Sequence, residues 1–141
     1  MKILVPVDGS PFTKRMLAYL AAHDEWLGDR QDYTLLHVSP ALPARAVSAL
    51  DKDVLKAYYA EESEKVFKPI RAFFARQKIR QASFVSKVGA AAEVIADLAA
   101  KGDYDLLMMG SHGHGTFGTL VLGSVTTKVM AHCDTPVLVI R

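Results

Sequence analysis

The chain has 141 residues, half of them hydrophobic and 23% charged, a globular composition that excludes a disordered chain. One core suffices at this length, because folding buries about 68–70% of the surface that the unfolded chain exposes. Seventeen Lys and Arg against fifteen Asp and Glu leave a net charge of +2, too small and too scattered to draw nucleic acid or a membrane surface. The single cysteine, Cys133, rules out an intramolecular disulfide and fits a reducing cytosol. The opening Met1-Lys2-Ile3-Leu4-Val5-Pro6-Val7-Asp8 reaches proline and aspartate too early for a signal-peptide apolar region. No uncharged apolar run approaches the ~20 residues of a membrane helix. The expectation is a single cytoplasmic domain over residues 1–141, with no nucleic-acid and no membrane partner.

Ile3 to Val7 is the first short apolar run and predicts a buried strand. Ser10-Pro11 then offers a capping hydroxyl before a proline at the first helical position. Met16, Leu17, Leu20 and Ala21 share one face of that helix, and Gly28 is expected to end it. Tyr33 to Val38 predicts the second strand. Pro40 to Leu50, with two prolines and several alanines, reads as an irregular, mobile loop. A long helix follows from near Asp51 to about Lys78, with Leu55, Tyr58, Tyr59, Val66, Phe67, Ile70, Phe73 and Phe74 toward the sheet. Pro69 within it predicts a kink or a break. Ser83 to Val88 alternates more than the other strands, which places it at an edge. A third helix carries Ala91, Val94, Ile95, Leu98 and Ala99 and stops at Gly102. Tyr104 to Met109 is the fourth strand, Ser124 to His132 the fourth helix, and Pro136 to Ile140 the fifth strand.

Strands alternating with helices predict an α/β fold. Right-handed crossovers with one reversal give a doubly wound five-stranded parallel sheet, order 3-2-1-4-5, helices on both faces. Ligands in such sheets sit beyond the carboxyl ends of the strands where the order reverses. That crevice lies between strands one and four, so the loops of interest are Pro6 to Ser10 and Met109 onward.

The second of these loops is unusual. Gly110, Gly113, Gly115, Gly118 and Gly123 place five of the nine glycines within fourteen residues. Glycines between a strand and a helix let backbone N–H groups approach phosphate oxygens, and Gly123-Ser124 opens a helix whose dipole suits an anion. The hydroxyls of Ser124 and Thr126 are candidate additional donors. A surface loop with a glycine cap is the bland alternative.

Gly110-x2-Gly113-x9-Gly123-Ser124 resembles the G-x2-G-x9-G-[ST] signature of the nucleotide-binding branch of the universal stress protein family. Ile3-Leu4-Val5-Pro6-Val7-Asp8-Gly9-Ser10, Leu35-Leu36-His37-Val38, Tyr104 to Gly113 and Thr135 to Arg141 resemble that family's first, second, fourth and last strands. The resemblance spans the chain and implies the family's Rossmann-like, adenine nucleotide alpha hydrolase-like fold. It also implies a stress-response nucleotide sensor or regulator whose ligand is ATP, ADP or AMP, with or without Mg2+. Pro6, Val7 and Asp8 would line the adenine and ribose end, Val38 would pair with the base through its backbone, and Val88-Gly89 would close over the adenine. Gly110, Gly113, His114, Gly123 and Ser124 would surround ribose and phosphates, with Val125 and Thr126 at the helix mouth. The full nucleotide-binding set adds Ser10, Met109, His112 and Gly115. The chain departs from many relatives at Ala90-Ala91-Ala92-Glu93, where they carry a polar residue or proline before the glutamate.

The same residues admit other readings. Asp8 can cap the first helix instead of holding a ribose. Met108 and Met109 fit buried strand positions, and Tyr58 and Tyr59 fit core or interface packing. His112, His114, His132 and Cys133 match no familiar zinc spacing, and Cys133 has no partners that would make it a nucleophile. The order His112-Gly113-His114 after strand four differs from the H-x-G-H of nucleotidyltransferases after strand one, and Val7 to Pro11 is not the S-G-G-x-D-S of ATP pyrophosphatases. There is no G-x4-G-K-[ST] loop, and no Asp or Glu stands between Leu106 and Cys133. Such a site holds phosphates without the parts for fast transfer, so the expectation is slow ATP hydrolysis at most. A rival of another class is a protein-interaction module in which bound nucleotide is incidental. The apolar last strand ends the sheet order, and pairing with a second copy predicts a homodimer through residues 136–140, as the family commonly forms. A regulatory protein partner of unknown identity is also implied.

Overall fold

A computed structural model of the chain describes residues 1–114 and 121–141. Five strands, β1 (Lys2–Pro6), β2 (Asp32–Ser39), β3 (Ala82–Val88), β4 (Leu106–Gly110) and β5 (Val137–Ile140), form one parallel sheet of order β3-β2-β1-β4-β5. The doubly wound order and the edge position of β3 are as the sequence predicts. The helices are α1 (Pro11–Ala22), α2 (Asp24–Leu27), α3 (Ala44–Ala49), α4 (Lys52–Arg76), α5 (Ala91–Lys101) and α6 (Ser124–His132).

Alternation along each strand splits the core into two layers. Ile3, Val5, Tyr33, Leu35 and Met108 meet α1 and α4 on one face. Leu4, Leu36, Leu107 and Met109 meet α5 and α6 on the other. Burial on both faces explains why these strands read as continuous apolar runs.

Four local features depart from the sequence reading. The first helix stops at Ala22 rather than at Gly28, which instead caps the short α2. His23 leaves the helical conformation, and its ring donates from Nδ1 to the Tyr19 carbonyl at 2.9 Å while stacking on the Tyr19 ring, satisfying an end that would otherwise run on. The segment Pro40 to Leu50 is not wholly irregular: its alanines form α3, and Tyr59 Oη accepts the Leu42 N–H at 2.9 Å. α4 passes Pro69 without a break, because Phe67, Ile70 and Phe74 on either side are buried against the sheet. Tyr58, expected to face the sheet, is 41% exposed.

Tyr33 is fully buried, and its phenol donates to the Leu27 carbonyl. Burial pushes that phenol well above its ordinary value of 10.0. The unfolded chain therefore releases the proton near pH 10, whereas the fold retains it to higher pH, so the stabilisation is intact below pH 10 and falls as pH rises beyond it. Melting temperatures from pH 9 to 11 should drop more steeply for the parent than for Tyr33→Phe, and equal slopes would remove Tyr33 as the cause.

Candidate functional site

A cavity of about 620 Å³ opens at the carboxyl ends of β1 and β4, where the strand order reverses. Of the expected residues, Pro6, Val7, Asp8, Ser10, Val38, Met109, Gly110, His112, Gly113, His114, Gly123, Ser124, Val125 and Thr126 all line it. Val88 and Gly89 do not. Val88 ends β3 and Gly89 follows it, where the Gly89 N–H donates to the Ser39 carbonyl at 3.0 Å. Gly115 lies outside the described residues.

Asp8 organises the β1 side. Its Oδ1 accepts the Ser10 N–H at 2.9 Å and the Thr13 hydroxyl at 3.1 Å, which ties the turn before α1 to the helix's first turn without capping any of its backbone N–H groups. Gly9 turns the chain between them with φ +75°, a left-handed conformation that favours glycine. The Asp8 carbonyl accepts from His114 Nε2 at 2.7 Å, which pins the β4 loop to the β1 loop. A Cβ on Gly113 would stand 2.5 Å from Asp8 Oδ2.

The β4 side is closed by a second set of bonds. The Gly123 N–H donates to the Ser111 carbonyl at 2.8 Å. His112 donates from Nε2 to the Val121 carbonyl at 2.6 Å, leaving Nδ1 to accept the Ser111 hydroxyl at 3.0 Å. A Cβ on Gly110 would press within 2.8 Å of Phe12 Cβ, and one on Gly123 within 3.1 Å of the His112 Cα. Gly110, Gly113 and Gly123 all have ordinary φ, so they are required for space rather than for backbone angle.

α6 starts at this wall with no side chain capping it, so its first N–H groups and dipole offer an anion site. Thr126 does not add a free donor as expected: its hydroxyl donates to the Gly110 carbonyl at 2.9 Å, and only its backbone is left for a ligand. Ser10 is 1% exposed, and its hydroxyl has no hydrogen-bond partner among the described residues. Among the described residues of the wall Asp8 is the one carboxylate, and neither Lys nor Arg joins it. No three His, Cys, Asp or Glu among the described residues could hold a metal ion together.

The sequence reading did not assign Phe12, Thr13, Met16, Leu36, Ala91, Ile95, Val121 and Leu122 to the site, yet all line the cavity. Met16, Leu36, Ala91 and Ile95 carried the signal of core-facing positions, and the cavity is where that core opens. Thr13, three residues after Ser10 and five after Asp8, is the residue that local spacing could have identified.

The universal stress protein family model matches residues 1–141. A universal stress protein from Thermus aquaticus is 31% identical over 139 residues, covering 99% of this chain and 97% of that protein. The solved structure of MJ0577, a universal stress protein of Methanocaldococcus jannaschii, superposes with a TM-score of 0.76 at 26% identity, over 99% of this chain and 94% of that one. At 18% identity, the universal stress protein of Archaeoglobus fulgidus in complex with dAMP shares the fold with a TM-score of 0.67, over 100% and 98% of the two chains. An Arabidopsis thaliana family member with AMP bound shares it with a TM-score of 0.69 at 16% identity, over 99% and 90%. Signature, sheet order and whole-length match agree: the chain belongs to the universal stress protein family.

Proposed function

We propose that the cavity binds an adenine nucleotide, ATP, ADP or AMP, and that the protein is a nucleotide-responsive regulator in a stress response. The observation that carries this reading is the uncapped α6 N-terminus facing a wall where a Cβ on Gly110 or Gly113 would come within 2.8 Å of its neighbours and one on Gly123 within 3.1 Å. Such a wall presents backbone to a ligand at close range, which suits phosphate. The buried Ser10 hydroxyl on the same wall has no hydrogen-bond partner among the described residues and is a polar group in need of one. Relatives of this fold in complex with dAMP and with AMP support the adenine assignment.

In this reading Asp8 takes the ribose, the Val38 backbone the base, and Ser124, Val125 and the Thr126 backbone the phosphates. Val88 and Gly89 would reach the adenine only through movement of the β3 end. A nucleotide would bring Mg2+ held mainly by its own phosphates, with Asp8 as the single nearby carboxylate. With one carboxylate and no Lys or Arg among the described residues of the wall, hydrolysis is slow and the bound state itself is the signal. A protein partner would then read that state. β5 pairs only with β4 at the sheet edge, and Val137, Leu138 and Val139 along it are half-buried, which supports a homodimer joined through residues 136–140.

At a hundredfold excess over its dissociation constant, AMP or ATP should stabilise nucleotide-free protein by about 2.7 kcal/mol, read as a rise in the melting temperature. An equimolar pyrimidine nucleotide should not, and no rise with any adenine nucleotide at millimolar levels would defeat the reading. Gly113→Val should fold and lose the AMP-induced rise, because its Cβ would displace the Asp8 carboxylate; retained binding would misplace the phosphate wall. Light scattering should report about twice the mass of one chain for the parent, and a shift toward monomer for Val139→Lys. A parent that is monodisperse monomer at high micromolar concentration would refute the dimer.

A further inference from the structure

We propose that a second cavity, on the α4 side of the sheet's carboxyl end, binds a polyhydroxylated group, a sugar or sugar moiety, beside the nucleotide cavity. This proposal goes beyond the nucleotide reading and stands without it. The cavity measures about 310 Å³ and lies between the end of β2 and α4. That is the small end of the range for ligand sites, about 300–1,000 Å³, and suits a monosaccharide better than a second nucleotide.

Ser39 carries the argument. It lines this cavity, is 3% exposed, and its buried hydroxyl has no partner among the described residues. Buried polar groups are rarely left so. Among the described residues only Ser10 shares that condition, and Ser10 lines the nucleotide cavity. Each cavity thus borders one buried hydroxyl whose oxygen exposes almost no surface, and a ligand would satisfy it by displacing the side chains that cover it.

The remaining wall selects the ligand's chemistry. His37 donates from Nδ1 to the Val7 carbonyl at 3.0 Å, so Nε2 of the uncharged ring accepts. His114, with Nε2–H committed to the Asp8 carbonyl, accepts likewise through Nδ1. Asp8 and Glu62 add carboxylate acceptors, and Lys65 adds a donor. Lys65 is already paired with Glu62 at 2.8 Å and Glu61 at 3.3 Å, so no uncompensated cation invites a phosphate. No trio of metal ligands converges among the described residues. Hydroxyl groups on a neutral ligand donate to the carboxylates and imidazoles and accept from Lys65, while Val66 and Pro40 receive its C–H faces.

Asp8, Val38 and His114 front both cavities. The sugar can therefore be free, or be part of a nucleotide extended past that wall. An NMR titration of D-ribose into 15N-labelled protein, with and without saturating AMP, tests the first source, and a titration of ADP-ribose tests the second. D-ribose should move the amides of Ser39, Glu62 and Lys65 saturably. Ser39→Ala should melt no lower than the parent, keep its AMP response, and weaken the ribose response about tenfold. If the sugar belongs to an extended nucleotide, ADP-ribose should bind more tightly than AMP and lose that advantage in Ser39→Ala. The proposal is overturned if neither probe moves those amides, or if Ser39→Ala responds as the parent does. A ribose response without any AMP response would overturn the nucleotide reading alone.

Discussion

Asp8 is the junction on which the site depends. Its carboxylate is fixed by the Ser10 N–H and the Thr13 hydroxyl, its carbonyl receives His114, and Gly113 passes close to its second oxygen. The loops after β1 and β4 are far apart in sequence, and this one residue makes them a single wall. It also sets the polarity of the cavity. Neither the N-terminus of α1 nor that of α6 has a side-chain cap, but the Asp8 carboxylate stands at the turn into α1, bonded to the Ser10 N–H and the Thr13 hydroxyl. One end of the cavity is therefore acidic and suited to hydroxyl donors, and the other is a field of N–H groups suited to an anion.

The glycines work by omission. At Gly110, Gly113 and Gly123 the missing Cβ allows Phe12, the Asp8 carboxylate and the His112 backbone to close in. These contacts knit the wall before any ligand arrives. His112 contributes similarly, tying Val121 to the far side of the loop while its ring lies 5.2 Å from that of Phe12. The ligand surface is thus backed by packed side chains rather than by solvent, which is what preorganised binding needs.

The sheet divides the chemistry as it divides the core. The larger cavity reaches the α5–α6 layer through Leu36, Ile95 and Met109, and the smaller one borders α4 through Glu62, Lys65 and Val66. Because Asp8, Val38 and His114 front both, any ligand that shifts this wall is felt on the other side. Among the described residues no helix is long and apolar enough to cross a membrane.

The amino-acid sequence by itself determined the strand order, the edge position of β3, the limits of α6 and the loops that form the site. Strand periodicity and glycine spacing are local signals, and they survive folding because burial on both faces of a parallel sheet demands them. Tertiary structure decided what depends on a partner distant in the chain. Burial of Phe67 and Ile70 against the sheet carried α4 through Pro69, and the Gly110 carbonyl took the hydroxyl of Thr126. Met16, Leu36 and Ile95 had the pattern of core residues, and only the fold shows that the core opens there into a cavity. Ser10 and Ser39 lack hydrogen-bond partners among the described residues for the same reason: burial and pairing are properties of three-dimensional neighbours, which residue order does not list.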